Sequence, residues 1–307
     1  MELSLSGTVL TRDLFAADGR LVASRGQIID LAFLKQVAAA APRGVREKAL
    51  HETQAAEGVL EAFESPALRY LTGDDSTRAL VADALSEVRF PAAIWEELEA
   101  LRREDGLRYQ HAIWCAVVCA RLFRAALGSA PGLSRLLGGA LLHDVGMRHT
   151  AVRLRFKRDH LSRAEALALE DHPLIGALIL ASALGDAPAV HFALLHHTRA
   201  GFGYPRVGRK PPLRGLDLVA VASAFAALIA PRSYRQQAYN ARGAVDQLME
   251  EAQAGHFDPR AVQLLIQCLR NSRGRMTELV LPRKPTGFRP HLNNHGVVPE
   301  PQPQLSA

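Results

Sequence analysis

Apolar positions recur at helical spacing from residue 76 onward, and the pattern predicts ten helices at 76–88, 91–103, 109–127, 131–143, 162–169, 173–184, 187–197, 215–230, 237–254 and 258–270. The chain before them alternates strand-like and turn-like stretches. Leu3 to Leu14, the turn Ala16-Ala17-Asp18-Gly19, and Arg20 to Ile29 read together as a β-hairpin. Asp30 is placed to cap a short helix through Leu34 and Val37 that ends before Pro42 and Gly44. The expected organisation is a small mixed β/α module over 1–44, a polar and partly helical connector over 45–75, a helical domain over 76–282, and a proline-rich disordered tail over 283–307. The fold class is therefore mainly α: a helical bundle behind a small module containing a β-hairpin.

With 307 residues, 48% of them hydrophobic, the chain can bury a sizeable core. Its apolar runs are interrupted by charge before they reach membrane-spanning length, and its N-terminus lacks a basic region followed by an apolar stretch. A cytoplasmic protein without membrane contact is expected. Cys115, Cys119 and Cys268 form no C-x-x-C pair and read as core thiols rather than a disulfide or a zinc site. The formal net charge is +6, yet five of the 37 basic residues are lysines and the excess forms no single run. Nucleic-acid binding does not follow. An arginine-weighted balance instead suits a small anionic ligand such as a nucleotide, because the planar guanidinium makes paired hydrogen bonds to phosphate.

The candidate chemistry lies in histidines near helix ends. His143 and Asp144 stand side by side at the close of the apolar run Leu141-Leu142, with His111 about a helix upstream and His172 and the pair His196-His197 downstream. Buried polar groups are costly unless paired or bound to metal, so five histidines and an aspartate recurring in apolar surroundings point to a shared divalent metal centre. His149, His160 and His191 read as ordinary core histidines.

After the histidine pair the chain continues Thr198-Arg199-Ala200-Gly201-Phe202-Gly203-Tyr204-Pro205. Together with Asp105 to His111, His143-Asp144, His172-Pro173, Arg232-Ser233-Tyr234-Arg235 and Phe257-Asp258-Pro259, in that order, it resembles the HD-GYP family over about residues 100 to 270. The resemblance implies an HD-type helical bundle and a bacterial metal-dependent phosphohydrolase, typically a phosphodiesterase acting on cyclic di-GMP at a two- or three-metal centre. It further implies His111, His143, Asp144, His172, His196 and His197 as metal ligands. Asp144 would bridge, and Asp144 with His143 would form the catalytic core. Arg199, Gly203, Tyr204, Pro205, Arg232 and Arg235 would face the substrate. Mixed nitrogen and oxygen ligation suits iron or manganese ahead of zinc, with two ions at most.

Departures from the family pattern bear on activity. Ser223 stands where members carry an aspartate ligand, and a neutral hydroxyl supplies no carboxylate charge to a hard cation. Met147 replaces a lysine that helps hold phosphate, Leu107 replaces the glutamate of three-metal members, and the loop before Gly203 lacks its two acids. The expected function is a divergent HD-GYP-like protein of cyclic di-GMP signalling. Its eroded metal site, possible even without bound metal, would give weak or lost hydrolysis and leave a module for a nucleotide, a related phosphate ester or a signalling partner. The alternative is an active two-metal phosphodiesterase.

Overall fold

Four short strands open the chain in the computed structural model, which describes residues 8–128, 130–199, 202–206, 213–270 and 285–293. These are β1 (Thr8–Val9), β2 (Leu14–Phe15), β3 (Leu21–Ala23) and β4 (Ile28–Ile29). Antiparallel pairing of β2 with β3 and of β1 with β4 makes the expected hairpin around the turn at 16–19. Asp30 then accepts the Phe33 amide at 2.8 Å and starts α1 (Leu31–Ala39), since a side-chain oxygen can satisfy one of the donors that a first helical turn leaves free.

Residues 45–75 contribute more than a connector. They form β5 (Glu47–Ala49), α2 (Ala55–Glu64) and α3 (Arg69–Thr72), and α2 lays Ala55, Val59, Ala62 and Phe63 into the core. That spacing is one face of a helix. α4 (Asp75–Ser86) follows, then β6 (Arg89–Pro91), which pairs antiparallel with β5.

α5 (Ala92–Glu104) leads into α6 (Gly106–Leu127), whose residues from His111 to Ala120 are all buried. A helix apolar on every side belongs in the middle of a bundle, and α6 is packed by α2, α4, α5 and α7 (Leu133–Leu142). Beyond α7 come a 3₁₀ turn (Val145–His149), α8 (Val152–Arg155), α9 (Arg163–Glu170), α10 (His172–Leu184) and α11 (Pro188–Leu195). A small hairpin of β7 (Thr198–Arg199) and β8 (Phe202–Gly203) precedes α12 (Leu216–Ile229), α13 (Ala241–Gln253) and α14 (Pro259–Leu269). The fold is mainly helical, as the pattern predicts. One stretch among the described residues, Arg163–Leu184, is long and apolar enough to cross a membrane by composition alone, but 61% of its apolar window is buried inside the fold.

Within the segment expected as tail, residues 285–293 are held by α13. Asp246 accepts the amides of Thr286 at 2.9 Å and Gly287 at 2.8 Å, and Arg289 pairs with both oxygens of Glu250. Backbone amides and a paired guanidinium therefore anchor a stretch whose composition has few apolar residues. The three cysteines are buried and unpaired, in line with core thiols.

The N-terminal module meets the bundle at Glu97, which is almost wholly buried. One carboxylate oxygen accepts the Ala17 amide at 2.5 Å; the other accepts Arg148 Nε at 2.9 Å and lies 3.4 Å from His149 Nε2. Arg12 also donates to the His149 carbonyl. Burial would raise the Glu97 carboxyl, but His149 and Arg148 outweigh it and hold it below its ordinary value of 4.5. The Glu97→Gln variant is expected to lose about 1 to 3 kcal/mol at pH 7. Because the folded value is depressed, the wild-type advantage is present above pH 4.5 and fades as pH falls through the folded value. Urea unfolding at neutral and acidic pH checks this, and equal stability of the two proteins at pH 7 would count against it.

Candidate metal centre

The site is assembled from helix ends. The last carbonyls of a helix have no intrahelical donor, and three histidines take advantage of this. His143, closing α7, places Nδ1 2.8 Å from the Ala140 carbonyl; His196, closing α11, places Nδ1 2.9 Å from Ala193; and His172, just after α9, places Nδ1 2.6 Å from Leu169. A carbonyl only accepts, so each Nδ1 carries its proton. In its neutral form such a ring presents Nε2 as a lone pair toward the interior, the arrangement that a metal-binding imidazole requires.

Asp144 receives them. Its Oδ1 lies 3.1 Å from His172 Nε2 and 3.9 Å from His196 Nε2, while its Oδ2 lies 3.9 Å from His111 Nε2. The two oxygens thus face two groups of donors: Asp144, His172, His196 and His197 on one side, and His111, His143 and Asp144 on the other, each with ligand atoms within 4.8 Å of one another. An ion with donors at about 2.1 Å sets neighbouring donors roughly 3 to 3.5 Å apart, the spacing of Asp144 to His172 at 3.1 Å and of His172 Nε2 to His196 Nε2 at 3.4 Å. Burial drives His111, His196 and His197 well below the ordinary 6.5 and keeps them unprotonated, as ligation needs. Burial alone would raise the Asp144 carboxyl, but the His172 contact and the nearby His143 and Arg108 hold it well below 3.8, so it remains an anion.

A backbone contact lets these parts meet. The Gly146 turn rests on the start of α10, and a Cβ added to Gly146 would fall 2.0 Å from the His172 carbonyl and 2.6 Å from the Gly176 nitrogen. Only glycine permits that approach. It draws together Asp144 and His172, which stand 28 positions apart in the chain.

The remaining predicted residues surround the centre in different ways. Tyr204 stacks on His197 with ring centroids 4.6 Å apart and closes one side of the first group. Gly203 adopts a φ of 82° beneath the His197 carbonyl, and Pro205 offers its carbonyl to Thr198 Oγ1 at 3.3 Å. Arg199 donates to the His196 carbonyl at 2.7 Å and lies over Phe257, bracing the backbone of the histidine pair. Arg235 donates to the Ala227 and Ala230 carbonyls, each at 2.7 Å, at the end of α12. Arg232 is buried, and its Nε finds no hydrogen-bond partner among the described residues. Ser223 Oγ sits between two predicted ligands, 3.0 Å from His143 Nε2 and 3.4 Å from His111 Nε2. Met147 is buried, and its neighbour Arg148 reaches Glu97 and Glu104 instead of the site.

Arg108 is the residue that sequence reasoning missed. It stands one turn before His111 on α6, and its Nη1 lies 3.7 Å from Asp144 Oδ2. Its spacing of three from a predicted ligand was the available signal, since such residues share a helix face.

Comparison with known proteins finds sequence relatives. The chain is 34% identical over 141 residues to a cyclic di-GMP phosphodiesterase of Vibrio cholerae, and 26% identical over 166 residues to a 3'3'-cGAMP-specific phosphodiesterase 1 of the same organism. The chain is HD-GYP-like. The matched stretches cover 43% and 52% of this chain but only 28% and 37% of those relatives' own lengths. No family model matches the chain.

Two outcomes are expected of this HD-GYP-like centre. Gly146→Ala should cost about 1 to 3 kcal/mol through backbone overlap, read as a lowered midpoint in thermal unfolding, and an unchanged midpoint would contradict the close approach. His172→Ala should lower manganese affinity by at least about tenfold while the circular dichroism spectrum is retained. Isothermal titration of the folded variant gives the answer directly.

Proposed function

We propose that the chain is a cyclic-dinucleotide-binding module of bacterial signalling in the cytoplasm, built on a phosphodiesterase-type metal centre whose hydrolysis is weakened. The observation that carries this reading is Ser223, whose hydroxyl occupies the space between His143 and His111 at 3.0 and 3.4 Å. Oxygen-rich, negatively charged donors favour hard divalent ions, and this position provides a neutral one.

A bound divalent ion would polarise a phosphoryl oxygen and lower the pKa of a water. The chain's own groups do the rest. Asp144 and the inward-facing imidazoles hold the ion, and iron or manganese suits this donor set ahead of zinc. Arg232 offers a buried guanidinium to phosphate. Gly203, Tyr204 and Pro205 wall the centre, with the Tyr204 ring available to stack on a base. Arg199 and Arg235 support the site through the backbone. Cyclic di-GMP is the ligand to test first, with related phosphate esters and a signalling protein as further partners.

The full chain, purified without chelator and supplied with manganese or ferrous iron, is expected to bind cyclic di-GMP and hydrolyse it slowly. Ser223→Asp should tighten manganese binding and raise turnover by about tenfold or more, the scale on which ligand changes act. Chromatographic separation of the linear product measures the rate. Fast wild-type hydrolysis with no gain in the variant would favour a fully active phosphodiesterase, and no binding of metal or nucleotide would reject the reading.

A further inference from the structure

The two sides of Asp144 differ in the groups that surround them. On the Oδ1 side His172 and His196 have Nδ1 tied to backbone carbonyls, and the donor group contains the Asp144 carboxylate. On the Oδ2 side His111 Nδ1 has no hydrogen-bond partner among the described residues, so no carbonyl fixes that ring. The hydroxyl of Ser223 already lies against both His111 and His143. Two guanidinium groups also crowd this side: Arg108 at 3.7 Å from Oδ2, and Arg232, 8% exposed and with an unpartnered Nε. Both add positive potential at His111. A second dication here would sit beside two positive charges with no carboxylate of its own, and at these separations like charges repel by several kcal/mol at an effective dielectric of about 20.

Resting on the metal-centre reading above, we infer that the centre takes a single divalent ion, held by Asp144, His172, His196 and His197, and that Arg108 stands in the second cation position to receive a phosphoryl oxygen of the ligand. The substitution is chemically coherent. A guanidinium neutralises phosphate charge and donates two hydrogen bonds, although it cannot activate water. Arg108 suits that task because its side chain is 19% exposed, open enough to meet a ligand while remaining next to the carboxylate. A centre of one ion and one guanidinium would retain affinity for a phosphodiester and lose part of its hydrolytic power.

The test uses the full chain, dialysed to equilibrium against manganese, with metal counted by plasma mass spectrometry. One ion per chain is expected; two would overturn the inference while leaving the phosphodiesterase-type centre standing, and none would overturn both. Inorganic phosphate titrated calorimetrically into the manganese-loaded protein then probes Arg108. Arg108→Ala should weaken phosphate by about tenfold with the ion count still at one, and Arg108→Lys should recover part of the loss. Unchanged phosphate affinity in a folded, metal-loaded Arg108→Ala protein would remove Arg108 from the ligand.

Discussion

The centre depends on the unsatisfied carbonyls at the ends of helices. Ala140, Leu169 and Ala193 each offer such a carbonyl to the Nδ1 of a histidine three positions later. One local hydrogen bond therefore settles two things for each ring: which nitrogen faces the interior and how the ring is oriented. The same sequence spacing repeats three times, and all three rings are buried. Burial lowers the proton affinity of His196, so the ring stays a ligand instead of becoming a cation that would repel one.

Asp144 converts these separate rings into a single site. Its carboxylate leaves α7 where the helix stops, and its two oxygens look in different directions. The Gly146 turn pressed against α10 makes this possible, because any larger residue would force the HD segment away from His172. The two sides then diverge through their neighbours. The His172 side is lined by three imidazoles, whereas the His111 side carries a hydroxyl and two arginines. The relatives from Vibrio cholerae are named as phosphodiesterases, and the difference between the two sides is where this chain's chemistry can depart from theirs.

The N-terminal module is tied to the same segment. Glu97 joins the Ala17 amide of the hairpin to Arg148 and His149, which follow Asp144 by four and five positions. The module and the turn that carries Asp144 thus share one buried carboxylate. Among the sequence expectations, the hairpin and the Asp30 cap stand as read, because both rest on contacts between residues close in the chain. The 45–75 segment shows the opposite case. Its polar residues dominate the composition, but Val59 and Phe63 supply the helix face that α6 needs. Residues 285–293 likewise carry few apolar anchors and are held through Asp246 and Glu250, partners some forty positions away in sequence.

By itself the sequence determined the mainly helical class and most helices from residue 76 onward, and it presented the candidate donors in order, because these follow from periodicity and from side-chain chemistry carried within single segments. Its resemblance to the HD-GYP family also implied that Ser223 stands where members carry a carboxylate. Only the tertiary structure decided that Ser223 lies between His111 and His143, that Arg108 reaches Asp144 while Arg148 turns to Glu97, and that Arg199 and Arg235 engage backbone carbonyls. A guanidinium on a long side chain can serve a ligand, a carboxylate or a carbonyl with equal chemical aptitude. Which one it meets depends on the packing of helices distant in the chain, and the spacing of residues along one segment contains no information about that.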